Sequence, residues 1–194
     1  MSYYRWKSEI RARGSGILQA VLEPFAPDWS RIDLWSCSPL RRQIPLLRFR
    51  YPATAPMPDL IFSSSGWEPY SSRLRSLLRS AGATFEEFPC QLLERSTGRI
   101  LSGDYAVVHF YECHECLDWV ESGYDAQIGA DAKPYPSSIT RLVLTAACLE
   151  RAYPIFRLTE ARNVVLVHDS VRALLTQHRV RGVRYLPLEE PIGL

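Results

Sequence analysis

The clearest periodic signal in the chain runs from Ser71 to Gly82, where Leu74, Leu77, Leu78 and Ala81 recur at helical spacing. Ser71 stands where a cap accepts free amides and Gly82 where a helix is left, so an amphipathic helix is predicted over 71–82. His168 to His178 repeats the design, with Asp169 or Ser170 as cap and Val171, Leu174 and Leu175 on the apolar face. At an offset of 97 residues, Leu74, Arg75, Leu77 and Leu78 fall on Val171, Arg172, Leu174 and Leu175, and Phe88 falls on Tyr185 in the strand that follows. Any capped helix followed by a strand would match as well, so a duplicated unit and coincidence both stand. Strand patterns occupy Ile17–Leu22, Leu46–Tyr51, Tyr105–Tyr111, Ile139–Leu144, Ile155–Leu158 and Val164–Val167. Eight of the 14 prolines fall within the first 70 residues, which prevents long helices there, and residues 52–58 read as a loop. Irregularly mixed strands with few helices predict an α+β fold of mixed sheets, with a helix-then-strand unit occurring twice. A chain of 194 residues fits one domain over 1–194, or two lobes of about 1–100 and 101–194 sharing a core.

The charge total is small: 23 basic and 21 acidic residues give a net charge of +2. Its layout is uneven. From Ile100 to Asp131 there is no Lys or Arg, while Asp104, Glu112, Glu115, Asp118, Glu121, Asp125 and Asp131 supply seven negative charges. Phe110, Tyr111, Trp119 and Tyr124 lie among them. Carboxylates interleaved with aromatic rings suit docking on a basic surface, the rings as anchors and the charges as register. The candidate contact residues are Glu112, Glu115, Asp118, Trp119, Glu121, Tyr124 and Asp125. The competing reading is a solvated segment whose rings point into the core.

Five cysteines, an odd number without repeated spacing, predict reduced thiols. The pair Cys113 and Cys116 could offer two thiolates to a metal, but His109, His114, Cys90, Cys148 and His168 form no second pair to complete a tetrahedral site. A redox role for the pair is not expected. The charged N-terminus and the lack of any apolar run near 20 residues predict a cytoplasmic protein. No G-x-S-x-G, P-loop, G-x-G-x-x-G or H-E-x-x-H occurs, so no enzyme and no cofactor are predicted. The rival enzyme reading would assemble His109, His114 or His168 with Cys113 or Glu115, while His168-Asp169-Ser170 reads as helix capping rather than a triad. A second rival, a nucleic-acid module on Arg41, Arg42, Arg48 and Arg50, is opposed by the acidic stretch and the prolines around it.

Several segments in order resemble the bacterial polymorphic-toxin immunity proteins of family 11. They are Tyr3-Tyr4, Pro58-Asp59-Leu60 ahead of the Ser-capped helix, Phe88-Pro89, and Cys116-Leu117-Asp118 with Ser122. Ile155-Phe156-Arg157-Leu158, Asp169-Ser170 and Gly182-Val183-Arg184-Tyr185-Leu186-Pro187 complete the set. The resemblance covers about 130 residues, from mid-chain to the end, and little of the first 50. It implies a small cytosolic protein that binds and neutralises the cognate toxin domain encoded beside it, and it supplies no catalytic residues to carry over; no nucleic acid and no membrane are expected as partners, on the charge layout and the lack of an apolar span.

Overall fold

A computed structural model describes residues 2–13, 16–24, 34–41, 43–128 and 134–193. Asp131 of the acidic stretch and Arg42 of the arginine set lie outside them. In chain order the strands are β1 (Tyr3–Ser8), β2 (Arg11–Arg13), β3 (Gly16–Leu18), β4 (Val21–Leu22), β5 (Leu47–Tyr51) and β6 (Pro69–Ser71), followed by helix α1 (Ser72–Ser80). Then come β7 (Glu86–Glu94), β8 (Ile100–His109), β9 (Cys113–His114), β10 (Gly123–Ile128), β11 (Pro134–Arg141) and helix α2 (Ala146–Arg151). The chain closes with β12 (Ile155–Leu158), β13 (Val165–His168), helix α3 (Asp169–Gln177), β14 (Val183–Leu186) and β15 (Ile192–Gly193).

Two five-stranded sheets dominate, in the orders β4-β5-β7-β8-β6 and β14-β1-β13-β12-β9. A three-stranded sheet, β10-β11-β15, and the β2-β3 ribbon complete the α+β fold. Parallel pairing occurs at β5–β7 and β9–β12, and the remaining pairs are antiparallel, so both large sheets are mixed.

The offset of 97 reappears in the backbone. Helix α1 begins at Ser72 and α3 at Asp169, β7 at Glu86 and β14 at Val183, each 97 residues apart. Helix α1 ends with the amide of Ala83 bonded to the carbonyl of Leu78 (3.0 Å), and α3 ends with that of Val180 bonded to Leu175 (3.0 Å). Gly82 (φ +84°) and Arg179 (φ +51°) hold the same left-handed position between those bonds. The topology repeats too. Strands β6 and β7 flank the antiparallel β8, and β13 and β14 flank the antiparallel β1. A helix-linked pair of parallel strands split by a third thus occurs once in each large sheet. At the N-cap position itself, Ser71 Oγ accepts the amide of Leu74 (3.1 Å) and His168 Nδ1 that of Ser170 (3.2 Å). His168, not Asp169 or Ser170, is therefore the cap of α3.

The apolar faces of both helices meet the two sheets in one core, with Leu74 and Leu78 from α1, Val171 and Leu175 from α3, Tyr70 and Val108 from one sheet, and Trp6, Ile155 and Val167 from the other. Each such side chain contributes roughly 1.5–3 kcal/mol on burial. The opposite face of the β1 sheet packs Tyr3, Phe156, Leu158 and Leu166 against Leu117, Ile139, Leu142, Leu144 and Ile192. Burial on both faces explains why β12 and β13 read as unbroken apolar runs.

The prediction of reduced thiols is overturned. Cys37 is bonded to Cys113 (Cα–Cα 5.4 Å) and Cys116 to Cys148 (5.5 Å), leaving Cys90 as the free thiol. Spacing along the chain hid this, because each partner comes from a distant segment. Cys90 is buried on β7, and desolvation pushes its thiol up to about 12.

Candidate functional site

The acidic segment does not lie as a loose loop. Its turn is tied to the chain before α2 by the amide of Asp118 on the carbonyl of Val143 (2.9 Å), and by Ser122 Oγ, which accepts the amide of Val143 (3.0 Å). The carboxylate of Asp118 accepts the amides of both Val120 and Glu121 at 3.0 Å, a short-range cap that fixes the turn. Trp119 meets Tyr124 edge to face at 4.9 Å, and both rings pack partly buried on the core beneath. Gly123 begins β10 where a Cβ would stand 2.5 Å from Thr140 Oγ1, so the strand sits close against β11. The Cys116–Cys148 bridge fastens the segment to α2.

In this turn Val120 is 89% exposed, and Glu115, Glu121 and Asp125 are exposed in the same segment of the chain. The seven predicted contact residues therefore separate by task. Asp118 is spent on the turn, Trp119 and Tyr124 on support, and Glu112 lies 3.2 Å from His114 Nε2 while its carbonyl accepts the amide of Arg157 (2.9 Å). Asp125 accepts the hydroxyl of Ser138 at 2.7 Å. Arg141, brought in by β11, lies 3.9 Å from Glu121, so the fold offsets part of a charge that looked unopposed along the chain. Strand pairing is the signal that would have found Arg141, and it cannot be read from local pattern.

Next to the ridge lies a pocket of about 230 Å³ lined by His114, Glu115, Thr145, Arg151 and Tyr153 among others. The His114 ring stacks on Tyr153 at 3.5 Å. Below it, Glu160 accepts the amide of Leu117 (3.0 Å); burial holds its carboxyl above the usual range, and the charge of Glu115 adds to that.

Of the residues in the enzyme reading, His114 and Glu115 line that pocket together, whereas His109 and His168 are engaged elsewhere. Both sulfurs of the Cys113–Cys116 pair are bonded elsewhere, so the loop does not present two thiolates to one ion, and among the described residues no cluster of three metal-ligating side chains occurs. His109 is fully buried with its ring nitrogens 3.0 Å from the Leu34 carbonyl and 3.1 Å from that of Ser38, where it holds the 34–41 segment. His168 caps α3. Of the arginine set, Arg50 is paired with Glu23, while Arg48 and Arg41 are exposed. No described helix is long and apolar enough to cross a membrane.

The model of the immunity protein family (Imm11) matches residues 16–190, and the chain belongs to that family. No curated protein matches it.

Proposed function

We propose that the protein neutralises a cognate bacterial toxin domain by binding it, as one immunity-type domain that turns over nothing itself. Membership of the immunity family carries this reading. The ridge supports the mode of binding: a preorganised turn loses little freedom on docking, and Glu115, Glu121 and Asp125 in the same segment as Val120 complement a basic cleft of the kind that holds an anionic substrate. Glu112, Asp118, Trp119 and Tyr124 belong to the same face as its support.

Replacing Glu115, Glu121 and Asp125 together by Lys is expected to weaken binding to the toxin encoded beside the gene by about 100-fold and to flatten its salt dependence. All three are exposed, so the melting temperature should stay. Unchanged affinity with an unchanged salt slope, read by titration calorimetry, removes the ridge from the interface; failure of the native protein to bind or protect removes the function.

The cytoplasm is the proposed compartment, and the two cystines pull against it because such bridges persist in oxidising surroundings. Trapping thiols in intact cells decides between them. Five alkylated cysteines after acid quench and denaturation place the protein in the cytoplasm, and one, Cys90, places it outside.

A further inference from the structure

The two cystines sit in different surroundings. Cys116 and Cys148 line the pocket beside the acidic turn but are only 2% and 3% exposed, whereas Cys37 is exposed and its partner Cys113 half-buried. Thiol–disulfide exchange needs a thiolate to reach one of the two sulfurs, so an exposed bridge reacts well before a buried one. The Cys37 bridge also ties down a particular piece of chain. Among the described residues, residues 34–41 join no sheet and bury one side chain, Leu34. Side chains of the body fasten them. The His109 ring meets the carbonyls of Leu34 (3.0 Å) and Ser38 (3.1 Å), and the Glu86 carboxylate accepts the amides of Leu40 (2.6 Å) and Arg41 (3.3 Å). Glu86 and His109 face each other in the β7–β8 pairing, and Cys113 follows shortly after His109, so the three anchors cluster where β8 ends. A segment with little buried apolar surface and no strand partner opens locally at low cost, and a covalent tie suppresses that opening.

We propose that the Cys37–Cys113 bridge is a redox latch on the 34–41 strap, opened by a dithiol reductant while Cys116–Cys148 and the rest of the fold persist. One thiolate of the dithiol attacks the exposed Sγ of Cys37; the bond to Cys113 breaks, and the Cys113 thiolate takes up a proton. The second thiol of the reductant then attacks the reductant sulfur of the mixed disulfide, closing the reductant's own disulfide, and Cys37 leaves and takes up the other proton. The cystine thus gains two electrons and two protons, which the dithiol has lost. With the latch open, the strap is left to the hydrogen bonds of His109 and Glu86 and to the packing of Leu34 and Leu40. Its exposed Trp35 then loses the covalent tie to β9, which Glu112 and Glu115 flank.

The test follows the oxidised full chain through a time course in dithiothreitol near neutral pH. Samples quenched in acid and alkylated after denaturation report, by peptide mass spectrometry, which bridges have opened. A pulse of iodoacetamide under native conditions reports whether buried Cys90 has become reachable. Cys37 and Cys113 should open at least about tenfold faster than Cys116 and Cys148, with Cys90 still unmodified by the native pulse. Once that first bridge is open, the amides of Leu40 and Arg41 should exchange with solvent at least about tenfold faster than in the oxidised chain, while those of β12 and β13 stay protected. Cys37→Ser combined with Cys113→Ser should fold and show the same fast exchange with no reductant present. Four results overturn the proposal: both bridges opening together, Cys90 reacting as soon as Cys37 does, Leu40 and Arg41 exchanging no faster or only in step with β12 and β13, and a double variant that fails to fold.

Discussion

Reducing both cystines is expected to lower the stability of the protein by about 8 kcal/mol, enough to bring a domain of ordinary stability close to its unfolding threshold at body temperature. The Cys37–Cys113 bridge closes 76 residues and Cys116–Cys148 closes 32, and the two loops do not overlap, so their effects on the unfolded chain add. Loop-closure entropy assigns about 4.5 and about 3.7 kcal/mol to them. In a chain of this size the melting temperature should fall by on the order of 20 °C with reductant. The pairs replaced by serine, Cys37 with Cys113 and Cys116 with Cys148, should divide that loss roughly as the loop lengths do. Thiol titration supplies the independent check, since the native protein should expose almost no reactive thiol and the unfolded one a single thiol, because Cys90 is buried. A melting temperature indifferent to reductant, together with five titratable thiols in the unfolded protein, would show that the bridges do not form.

These bridges also mark where local pattern stops being informative. Helices α1 and α3 were legible because their signals, an apolar stripe with caps, lie within a dozen residues, and the offset of 97 was legible because both copies keep the same stripe. Strands β12 and β13 were legible as apolar runs, and β5 by its alternation. Strand β1 was not, since Tyr3-Tyr4-Arg5-Trp6 reads as a charged terminus until pairing with β13 and β14 buries Arg5 and Trp6. The predicted strand over 17–22 is interrupted: β3 and β4 lie on either side of Gln19 and Ala20, and Ala20 turns into the core. The predicted Ile139–Leu144 strand is observed as β11, five residues earlier in its start. In the acidic segment, sequence identified the charges and rings but not their division of labour. Which carboxylate caps a turn and which faces solvent depends on hydrogen bonds to residues near 140, and the same long-range pairing decides which cysteines meet.

The junction of the two repeats supplies the second large effect, at Gly182. Its backbone has φ +91°, and a Cβ there would lie 2.0 Å from the carbonyl oxygen of Leu60 and 3.0 Å from Pro58 Cβ. That close approach is structural. The Gly182 carbonyl accepts the amide of Glu9 (2.7 Å), the Arg181 carbonyl accepts that of Leu60 (3.1 Å), and the buried Asp59 accepts the amide of Arg181 (2.9 Å) and the hydroxyl of Ser71 (2.9 Å). One extended segment thus threads between β1 and the approach to β6, and only a residue without a side chain passes. Gly182→Ala should cost about 4 kcal/mol, combining left-handed strain with displacement of backbone, and lower the melting temperature by about 12 °C. Gly66 provides the control, for its φ of +77° carries similar strain but a Cβ there would meet nothing within 4 Å. Gly66→Ala should cost about 1 kcal/mol. Strain alone would make the two substitutions equivalent in chemical denaturation; a difference of several-fold in their cost assigns the excess to the close packing of residue 182 against residue 60.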